Sequence, residues 1–374
     1  MEGRYGQLNS LDRLYMQRAC ELAARALGNT SPNPTVGAIV VAQHGQTVGE
    51  GYHHRAGEPH AEVHALREAG ARARGATLYV SLEPCNHHGR TPPCSQAVAQ
   101  AGLARVVVGA ADPNPQTHGG GIAYLRERGI AVDVTGEPAA RTLIERFAVA
   151  IAGRRPYVTL KMASSLDGYV ASRSGVQEWL TGEEARAFVR EQRIEHDAVM
   201  VGAGTVRVDD PQLTVRPAHH RLRDYVRIIA CETDAVPATS NVFARTENYA
   251  KTIVLAPAGA LERFEALRAV ADVLPVGTQA DRQLDLRAAM VALRAYGIGS
   301  VFCEGGPTLA GRLVASDLVD RFDWLLAPRL LRSAGALPVM ASTDMSATAP
   351  GLRYDRIERL GADLLVSGTF THDV

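Results

Sequence analysis

Hydrophobic residues recur along this chain at two spacings that alternate with each other. Residues 12–27 have the spacing of an amphipathic helix and stop before Gly28, whereas residues 36–42 and 47–51 are short apolar runs that flank a polar turn, a pattern typical of a β-hairpin. Strands that alternate with helices indicate a layered α/β domain. We predict further helices at residues 60–73, 93–101, 122–128 and 137–152, and strands at residues 76–82, 105–110 and 131–134.

A polar Gly/Arg/Pro segment at residues 153–156 interrupts this alternation and predicts a domain boundary. We therefore predict two domains, residues 1–152 and 153–374. Thr181 and Glu184 have the spacing of a capping box, which predicts a helix from there to about Glu195. The other predicted helices of the second domain are residues 284–296 and 308–315, and its predicted strands are residues 157–162, 198–201, 227–231, 252–256, 300–303, 322–327 and 363–369.

Composition and charge favour a small-molecule partner and argue against nucleic acid. The 374 residues include 40 Lys+Arg and 40 Asp+Glu, so the chain lacks the basic excess of nucleic-acid-binding proteins. The N-terminal segment has charges among its apolar residues, and no run has the apolar length that spans a bilayer, so we expect neither a secretory signal nor a membrane partner. Five scattered cysteines, an odd number, are typical of reduced thiols, and we predict a cytoplasmic protein.

Four residues of the first domain have the pattern of a catalytic zinc site. His60, Cys85 and Cys94 offer one imidazole and two thiolates, which would leave the fourth tetrahedral position to water. Zinc lowers the pKa of such a water to about 7. Glu62 follows His60 in the same predicted helical turn, so its carboxylate can take the proton of the water and pass it to a leaving amine. The alternatives are a closed structural zinc site, which requires a fourth protein ligand, and three buried residues with no common role.

This pattern resembles the signature H-x-E…P-C-x-x-C of the cytidine-deaminase superfamily, except that eight residues rather than two separate the cysteines. The longer segment 83–94, with residues 57–66 before it and 112–115 after it, closely resembles the bifunctional deaminase–reductase family of riboflavin biosynthesis. His87, His88 and Arg90 lie between the two cysteines and can bind a phosphate group. The resemblance implies that the substrate pocket of the deaminase is lined by Asn33, His53, His87 and Arg90.

Three polar turns stand at predicted strand ends in the second domain, at residues 161–168, 201–216 and 304–311. The last joins a strand to a helix through glycines, and such a helix start binds phosphate through its free N–H groups. Gly202 and Gly204 do not complete a dinucleotide-binding fingerprint, because Arg207 stands where a third glycine would be. Together these segments resemble the reductase domain of the same family, so the resemblance covers nearly the whole chain.

The family resemblance assigns residues of the second domain to two ligands. It implies that Lys161 is catalytic and lies at the reacting sugar. The family usually has Asp and a small residue where this chain has Cys231 and Glu232, and the Glu232 carboxylate would repel a cofactor phosphate. The implied NADPH contacts are Ala163, Trp179, Thr205, Asp209, Gly306, Pro307, Thr308, Leu309, Ala310, Gly311 and Arg312, and the implied substrate contacts are Gln177, Arg193, Leu213, Arg216 and Glu304.

The resemblance predicts a cytidine-deaminase-like three-layer α/β/α domain followed by a dihydrofolate-reductase-like α/β domain. The first would use Zn2+ to deaminate a diaminopyrimidinone ribosylamine phosphate, and the second would use NADPH to reduce its ribosyl group to ribityl. We expect this phosphorylated pyrimidine as the partner, no nucleic acid and no membrane, and a homo-oligomer. A monofunctional nucleotide or RNA-base deaminase with a non-catalytic C-terminal domain is the alternative. A non-enzymatic binding protein is disfavoured because Glu62 and all three ligands are intact.

Overall fold

A computed structural model describes residues 9–87, 92–115, 117–215, 225–233, 235–245, 251–279, 282–332, 334–341 and 351–371. The chain divides into two compact units, Met1–Gly153 and Arg154–Val374. In the described part of the chain, no helix combines the length and apolar character needed to cross a membrane.

The first unit is a five-stranded sheet between two layers of helices. The strand order is β2-β1-β3-β4-β5, in which β1 is antiparallel to both neighbours and β3, β4 and β5 are parallel. The described helices are α1 (Ser10–Ala24), α2 (Ala61–Ala69), α3 (Cys94–Gln100), α4 (Gly120–Glu127) and α5 (Pro138–Ala152), and the strands are β1 (Gly37–Val41), β2 (Thr47–Tyr52), β3 (Thr77–Leu82), β4 (Arg105–Ala110) and β5 (Ala131–Val134).

The apolar core of this unit has two halves, one on each face of the sheet. Met16 of α1 and Ile144 of α5 pack with Ile39 on one face, whereas Ala65 of α2 and Leu125 of α4 belong to the cluster on the other. The predicted three-layer arrangement is therefore confirmed.

A glycine and a buried carboxylate tie two helices of this unit closely to the sheet. A Cβ on Gly51 of β2 would lie 2.5 Å from the carbonyl oxygen of Ala61, so only glycine lets α2 approach this closely. On the opposite face, the Asp12 carboxylate of α1 accepts a hydrogen bond from the Tyr79 hydroxyl of β3 (2.6 Å) and two from the Arg105 guanidinium of β4 (2.9 and 3.1 Å).

The second unit is built on a nine-stranded sheet of order β11-β10-β9-β8-β12-β6-β13-β16-β15. Its first seven strands are parallel, and β16 and β15 extend it antiparallel. The described strands of the unit are β6 (Tyr157–Ser165), β7 (Tyr169–Ala171), β8 (Ala198–Gly202), β9 (Val226–Ala230), β10 (Thr252–Pro257), β11 (Asp272–Val276), β12 (Ser300–Gly305), β13 (Arg321–Ala327), β14 (Leu337–Pro338), β15 (Gly351–Leu360) and β16 (Asp363–Thr371). Of these, the two short strands β7 and β14 pair with each other in a separate two-stranded sheet.

Helices cover both faces of this larger sheet. The α8 and α9 residues Met290 and Leu313 belong to the core cluster on one face, and the α6 and α7 residues Phe188 and Val206 to the cluster on the other. The order of strands reverses between β8 and β12, and the carboxyl ends of β6, β8 and β12 meet there, a place where sheets of this kind bind ligands. The described helices are α6 (Glu183–Glu195), α7 (Ala203–Asp209), α8 (Leu286–Ala295) and α9 (Pro307–Ala315).

The predicted capping box at Thr181 and Glu184 is wrong. Helix α6 begins at Glu183, its N-cap residue is Gly182, and no side chain caps it. With Gly182 as the N-cap residue, the third helical position is Ala185, whose side chain has no acceptor, and the N–H of Gly182 donates to the Asp363 carboxylate of β16 at 2.7 Å. A tertiary hydrogen bond therefore replaces the predicted local one.

Candidate functional sites

The predicted zinc ligands His60, Cys85 and Cys94 converge in the first unit. His60 is the N-cap residue of α2, Cys85 lies in the segment after β3, and Cys94 is the first residue of α3. Their ligand atoms all lie within 4.8 Å of one another. The His60 Nδ1 atom is 3.6 Å from Cys85 Sγ and 3.2 Å from Cys94 Sγ. Two thiols and one imidazole at this spacing fit a tetrahedral zinc ion with one open position.

A buried carboxylate that sequence reasoning missed holds the Cys85 segment in place. Glu83 accepts backbone hydrogen bonds from Gly119 (3.0 Å), Gly121 (3.0 Å) and Ile122 (3.2 Å), at the start of α4. Gly121 packs so closely that a Cβ there would lie 1.8 Å from the Pro84 carbonyl oxygen. The sequence contained one signal for this residue: an acidic side chain at the end of a predicted strand, two positions before a predicted zinc ligand.

Hydrogen bonds within the cluster favour the metal-binding thiolate form of Cys85. The Cys94 thiol and backbone N–H both donate to Cys85, the latter at 3.4 Å, and with His60 they lower the pKa of Cys85 despite its burial. Donation of the thiol hydrogen bond and burial raise the pKa of Cys94. The hydrogen bond to Cys85 in turn raises the pKa of His60. A thiolate is the form of cysteine that ligates zinc.

Glu62 is buried beside this cluster. Burial raises the pKa of Glu62 to about 7. Its Oε2 atom finds no hydrogen-bond partner in the part of the chain that the structure describes. A buried polar atom normally has a hydrogen-bond partner. A carboxylate oxygen without one, beside three potential metal ligands, therefore fits a site that receives a metal ion and a polar reactant.

Two of the four predicted pocket residues of the deaminase lie together beside His60. Asn33 Nδ2 is 3.1 Å from His53 Nε2, and His53 Nδ1 is 3.2 Å from the Pro59 carbonyl oxygen. The His53 ring meets the His60 ring edge-on at 5.0 Å, and burial lowers the pKa of His53. His87 is exposed in the segment that follows Cys85. Arg90 lies outside the described residues.

A cavity of about 900 Å³ opens in the second unit at the carboxyl ends of β6, β8 and β12. Gly305 and Gly306, at the end of β12, have φ angles of 78° and 104°, which favour glycine, and lead directly into α9. The predicted residues that line the cavity are Lys161, Ala163, Gln177, Trp179, Arg193, Thr205, Asp209, Leu213, Glu304, Gly306, Pro307, Thr308 and Leu309.

Ionic side chains form part of the lining of this cavity. Arg193 and Glu304 form a two-pronged ion pair in which Nη2 donates to Oε2 at 2.8 Å and Nε donates to Oε1. Burial would raise the pKa of Glu304, but the charge and hydrogen bonds of Arg193, together with the Lys161 charge, outweigh burial and hold that pKa below its ordinary value. Burial lowers the pKa of the neighbouring Lys161 ammonium and raises that of the Asp209 carboxyl.

Three predicted cofactor contacts, Ala310, Gly311 and Arg312, are not among the residues that line the cavity. Ala310 is buried in the core, and a Cβ on Gly311 would lie 1.9 Å from the Ala341 carbonyl oxygen, so these residues pack against protein. Arg312 donates to the Leu284 carbonyl and forms an ion pair with Glu232, which lines the cavity. Arg312 therefore balances the charge that the sequence predicted to repel the cofactor. The predicted contact Arg216 lies outside the described residues.

The cavity also has cationic residues that the sequence analysis did not select. Arg207 of α7 and Arg186 and Arg190 of α6 contribute to its lining. Trp179 is 65% exposed, and the Arg186 guanidinium lies 5.4 Å from its ring centroid, within the range of a cation–π contact. Isolated arginines on helices have no motif, so only the tertiary arrangement identifies them.

Comparisons with known proteins match both units. Residues 9–110 match the family model of the cytidine and deoxycytidylate deaminase zinc-binding region, and residues 156–366 match that of the RibD C-terminal domain. The chain is 39% identical to the riboflavin biosynthesis protein RibD of Escherichia coli over 376 residues, which cover 94% of this chain and 98% of that protein. It is also 39% identical to RibD of Aquifex aeolicus over 360 residues, with 96% and 98% covered.

Solved structures give the same result. RibD of Acinetobacter baumannii is 36% identical and superposes with a TM-score of 0.85, over 97% of this chain and 99% of that one. A deaminase/reductase from Thermotoga maritima is 33% identical, with a TM-score of 0.83 and 96% and 99% of the chains covered. The predicted cytidine-deaminase-like first domain and reductase-type second domain are confirmed. The chain belongs to the RibD family of riboflavin biosynthesis proteins.

Proposed function

We propose that the two units catalyse successive steps on one phosphorylated pyrimidine. The Thermotoga maritima relative is described as a diaminohydroxyphosphoribosylaminopyrimidine deaminase and 5-amino-6-(5-phosphoribosylamino)uracil reductase. We assign the same two reactions to this chain, deamination with zinc followed by reduction with NADPH. The observation that carries the first assignment is the convergence of His60, Cys85 and Cys94 beside the buried Glu62.

In the first reaction, three residues hold the metal and a fourth moves a proton. Zinc held by His60, Cys85 and Cys94 supplies a Lewis acid that makes water nucleophilic near neutral pH. Glu62 takes a proton from that water and delivers it to the departing amine, a role that fits a carboxyl whose pKa burial raises to about 7.

The remaining pocket residues of the deaminase orient the substrate. The Pro59 carbonyl can only accept, so His53 donates to it from Nδ1 and accepts from the Asn33 amide at Nε2. This pair presents Asn33 to the pyrimidine nucleotide. We assign His87 and Arg90, from the segment between the cysteines, to its phosphate.

In the second reaction, the cavity residues bind two ligands side by side. We assign the Gly306 end of the cavity, with Thr205 and Trp179, to NADPH, whose phosphates suit the N-terminus of α9. We assign Leu213 and the ion pair of Arg193 and Glu304 to the pyrimidine. Lys161 lies among these groups and holds the reacting sugar, and NADPH supplies the hydride.

Product analysis tests this assignment. The purified protein is given the phosphorylated diaminopyrimidine with and without NADPH, and the products are identified by mass spectrometry. We expect only the deaminated pyrimidine without NADPH and the ribityl product with it. Deamination without any reduction would support the monofunctional alternative instead.

We also propose that the chain forms a homo-oligomer through the outer edge of β15. Nearly all of this strand is exposed, including Tyr354 and Ile357. Antiparallel pairing of two copies about a two-fold axis would place Arg353 opposite Glu358 and Tyr354 opposite Ile357, which are favourable cross-strand pairs. Light scattering in solution should give a multiple of the 40.0 kDa chain mass.

The five cysteines are free thiols, which supports a cytoplasmic location.

A further inference from the structure

The segment that contains Leu213 has a backbone conformation that side chains rarely adopt. Leu213 has a φ angle of 51°, and Asp210, three residues earlier, has a φ angle of 41°. Neither residue is glycine, and such conformations persist only where the surroundings enforce them. Pro211, Gln212, Leu213 and Thr214 all line the cavity of the second unit.

Three polar contacts hold this segment. At one end, the Asp210 carboxylate accepts hydrogen bonds from the backbone N–H (2.8 Å) and the side-chain amide (2.7 Å) of Asn241. At the other end, Arg193 Nη1 donates to the Thr214 carbonyl at 3.0 Å. Between them, Arg227 Nη1 donates to the Gln212 carbonyl at 3.3 Å.

Arg227 makes the central contact from outside the cavity. It lies on β9, is only 1% exposed and does not line the cavity. Its Nη2 atom donates at 3.1 Å to the Ala244 carbonyl, just beyond the turn that carries Asn241. One planar guanidinium therefore joins the 210–214 segment to the 241–244 turn, a geometry that the single ammonium of a lysine does not reproduce.

We infer that Arg227 is a positioning residue for the reductase, which keeps Leu213 in its left-handed conformation and so shapes the pyrimidine side of the cavity. This inference rests on the proposed assignment of the cavity to the reductase substrate. Because Arg227 touches neither ligand, its loss should alter substrate binding more than the chemical step.

The test compares Arg227→Lys with Ile229→Val in the full-length protein. Ile229 is a buried residue two positions along the same strand, and its truncation removes one methyl group but none of the hydrogen bonds that hold the 210–214 segment. In Arg227→Lys we expect the KM for the deaminated pyrimidine to rise about tenfold, equivalent to about 1.4 kcal/mol. We expect kcat to stay within about twofold and deamination to be unchanged. Ile229→Val should leave all of these constants near wild type.

Hydrogen–deuterium exchange provides a readout that does not depend on activity. Amides of residues 210–215 should exchange faster in Arg227→Lys than in Ile229→Val, while those of the first unit stay the same. If Arg227→Lys does not fold, Asn241→Ala takes its place in the test. It removes the neighbouring contact from an exposed position, and it should also make the amides of residues 210–215 exchange faster. Equal exchange and an equal KM in all variants would overturn the inference. Faster exchange in a protein that reduces no pyrimidine would instead overturn the proposed function.

Discussion

At the scale of single residues, the proposed roles of metal ligation and proton transfer fall to side chains only two positions apart. His60 points a ring nitrogen at both thiols, whereas Glu62 keeps its Oε2 atom without a partner among the described residues. We therefore predict that Glu62→Gln retains stoichiometric zinc but loses at least about 100-fold in deamination rate, the usual contribution of a general acid–base group. Metal analysis of the purified variant, together with a deaminase assay, measures both effects.

The ligand variants are the matched controls. His60→Ala, Cys85→Ser and Cys94→Ser should each lose zinc and deamination together, because each removes a donor from the set. Reduction of the already deaminated pyrimidine should continue in all four variants. Normal deamination by Glu62→Gln would refute the proposed proton transfer.

The sequence predicted the zinc ligands because their signature is short and local, but it could not predict the residues that position them. His60 and Glu62 are separated by one residue, and a family pattern connects them to the cysteines. Glu83 and Arg227 act through backbone groups 36 and 15 residues away, respectively. No spacing rule relates such partners before the chain is folded.

At the scale of elements, Asp12 is a buried polar connection between α1 and the first sheet. Burial would raise its pKa, but hydrogen bonds from Arg105 and Tyr79 outweigh burial and lower it. A lowered carboxyl pKa adds stability above the unfolded-state pKa, and that stability is lost as the pH falls through the folded-state pKa. We predict that Asp12→Asn destabilises the first unit by about 1–3 kcal/mol at pH 7, the cost of losing hydrogen bonds to a buried charge.

Thermal melts between pH 7 and pH 3 measure this effect. The difference in stability between wild type and Asp12→Asn should shrink as the pH drops below about 4, because an aspartate carboxyl of the unfolded chain protonates there. Asp133→Asn is the control: its carboxylate also binds Arg105, but its side chain is 46% exposed, so we expect a loss below about 0.5 kcal/mol. A gap between wild type and Asp12→Asn that is independent of pH would contradict the ionic explanation.

The elements that the sequence missed lack the pattern on which prediction depends. The predicted helices and strands are present with ends that differ by at most four residues, but β7, β11, β14, β15 and α7 were not predicted. In β15, charged and apolar residues are exposed on both faces, so no alternation marks the strand. It forms because β16 offers a full antiparallel partner from Asp363 to Thr371. Pairing with a neighbour, rather than burial, determines this element.

At the scale of the whole molecule, each site is built from residues of one compact unit. The zinc ligands and Glu62 lie within Met1–Gly153, and every residue that lines the reductase cavity lies within Arg154–Val374. We therefore predict that residues 1–152 alone deaminate without NADPH. We predict that residues 153–374 alone reduce the deaminated pyrimidine and are insensitive to chelators. Assays of the two purified fragments measure both activities.

Circular dichroism of the fragments is the control, since only a folded fragment is informative. A folded C-terminal fragment that fails to bind NADPH, or that needs zinc for reduction, would refute the independence of the two sites. The same fragments test whether the reductase accepts only the deaminated pyrimidine. If the polar groups of the cavity match the carbonyl that deamination creates, the cavity should reject the pyrimidine that still has the amino group. The amino group would leave those polar groups unpaired.

The position of β6 in its sheet has a consequence for the time at which the second unit can form during synthesis. It is the first strand of the unit to leave the ribosome, yet both of its neighbours, β12 and β13, follow only after residues 166–299. At about 5–20 residues per second, the ribosome needs about 7–27 s to deliver the first of them. The sheet of the first unit is complete at Val134. The nascent chain therefore carries the complete sheet of the first unit for this interval, while both edges of β6 are still unpaired.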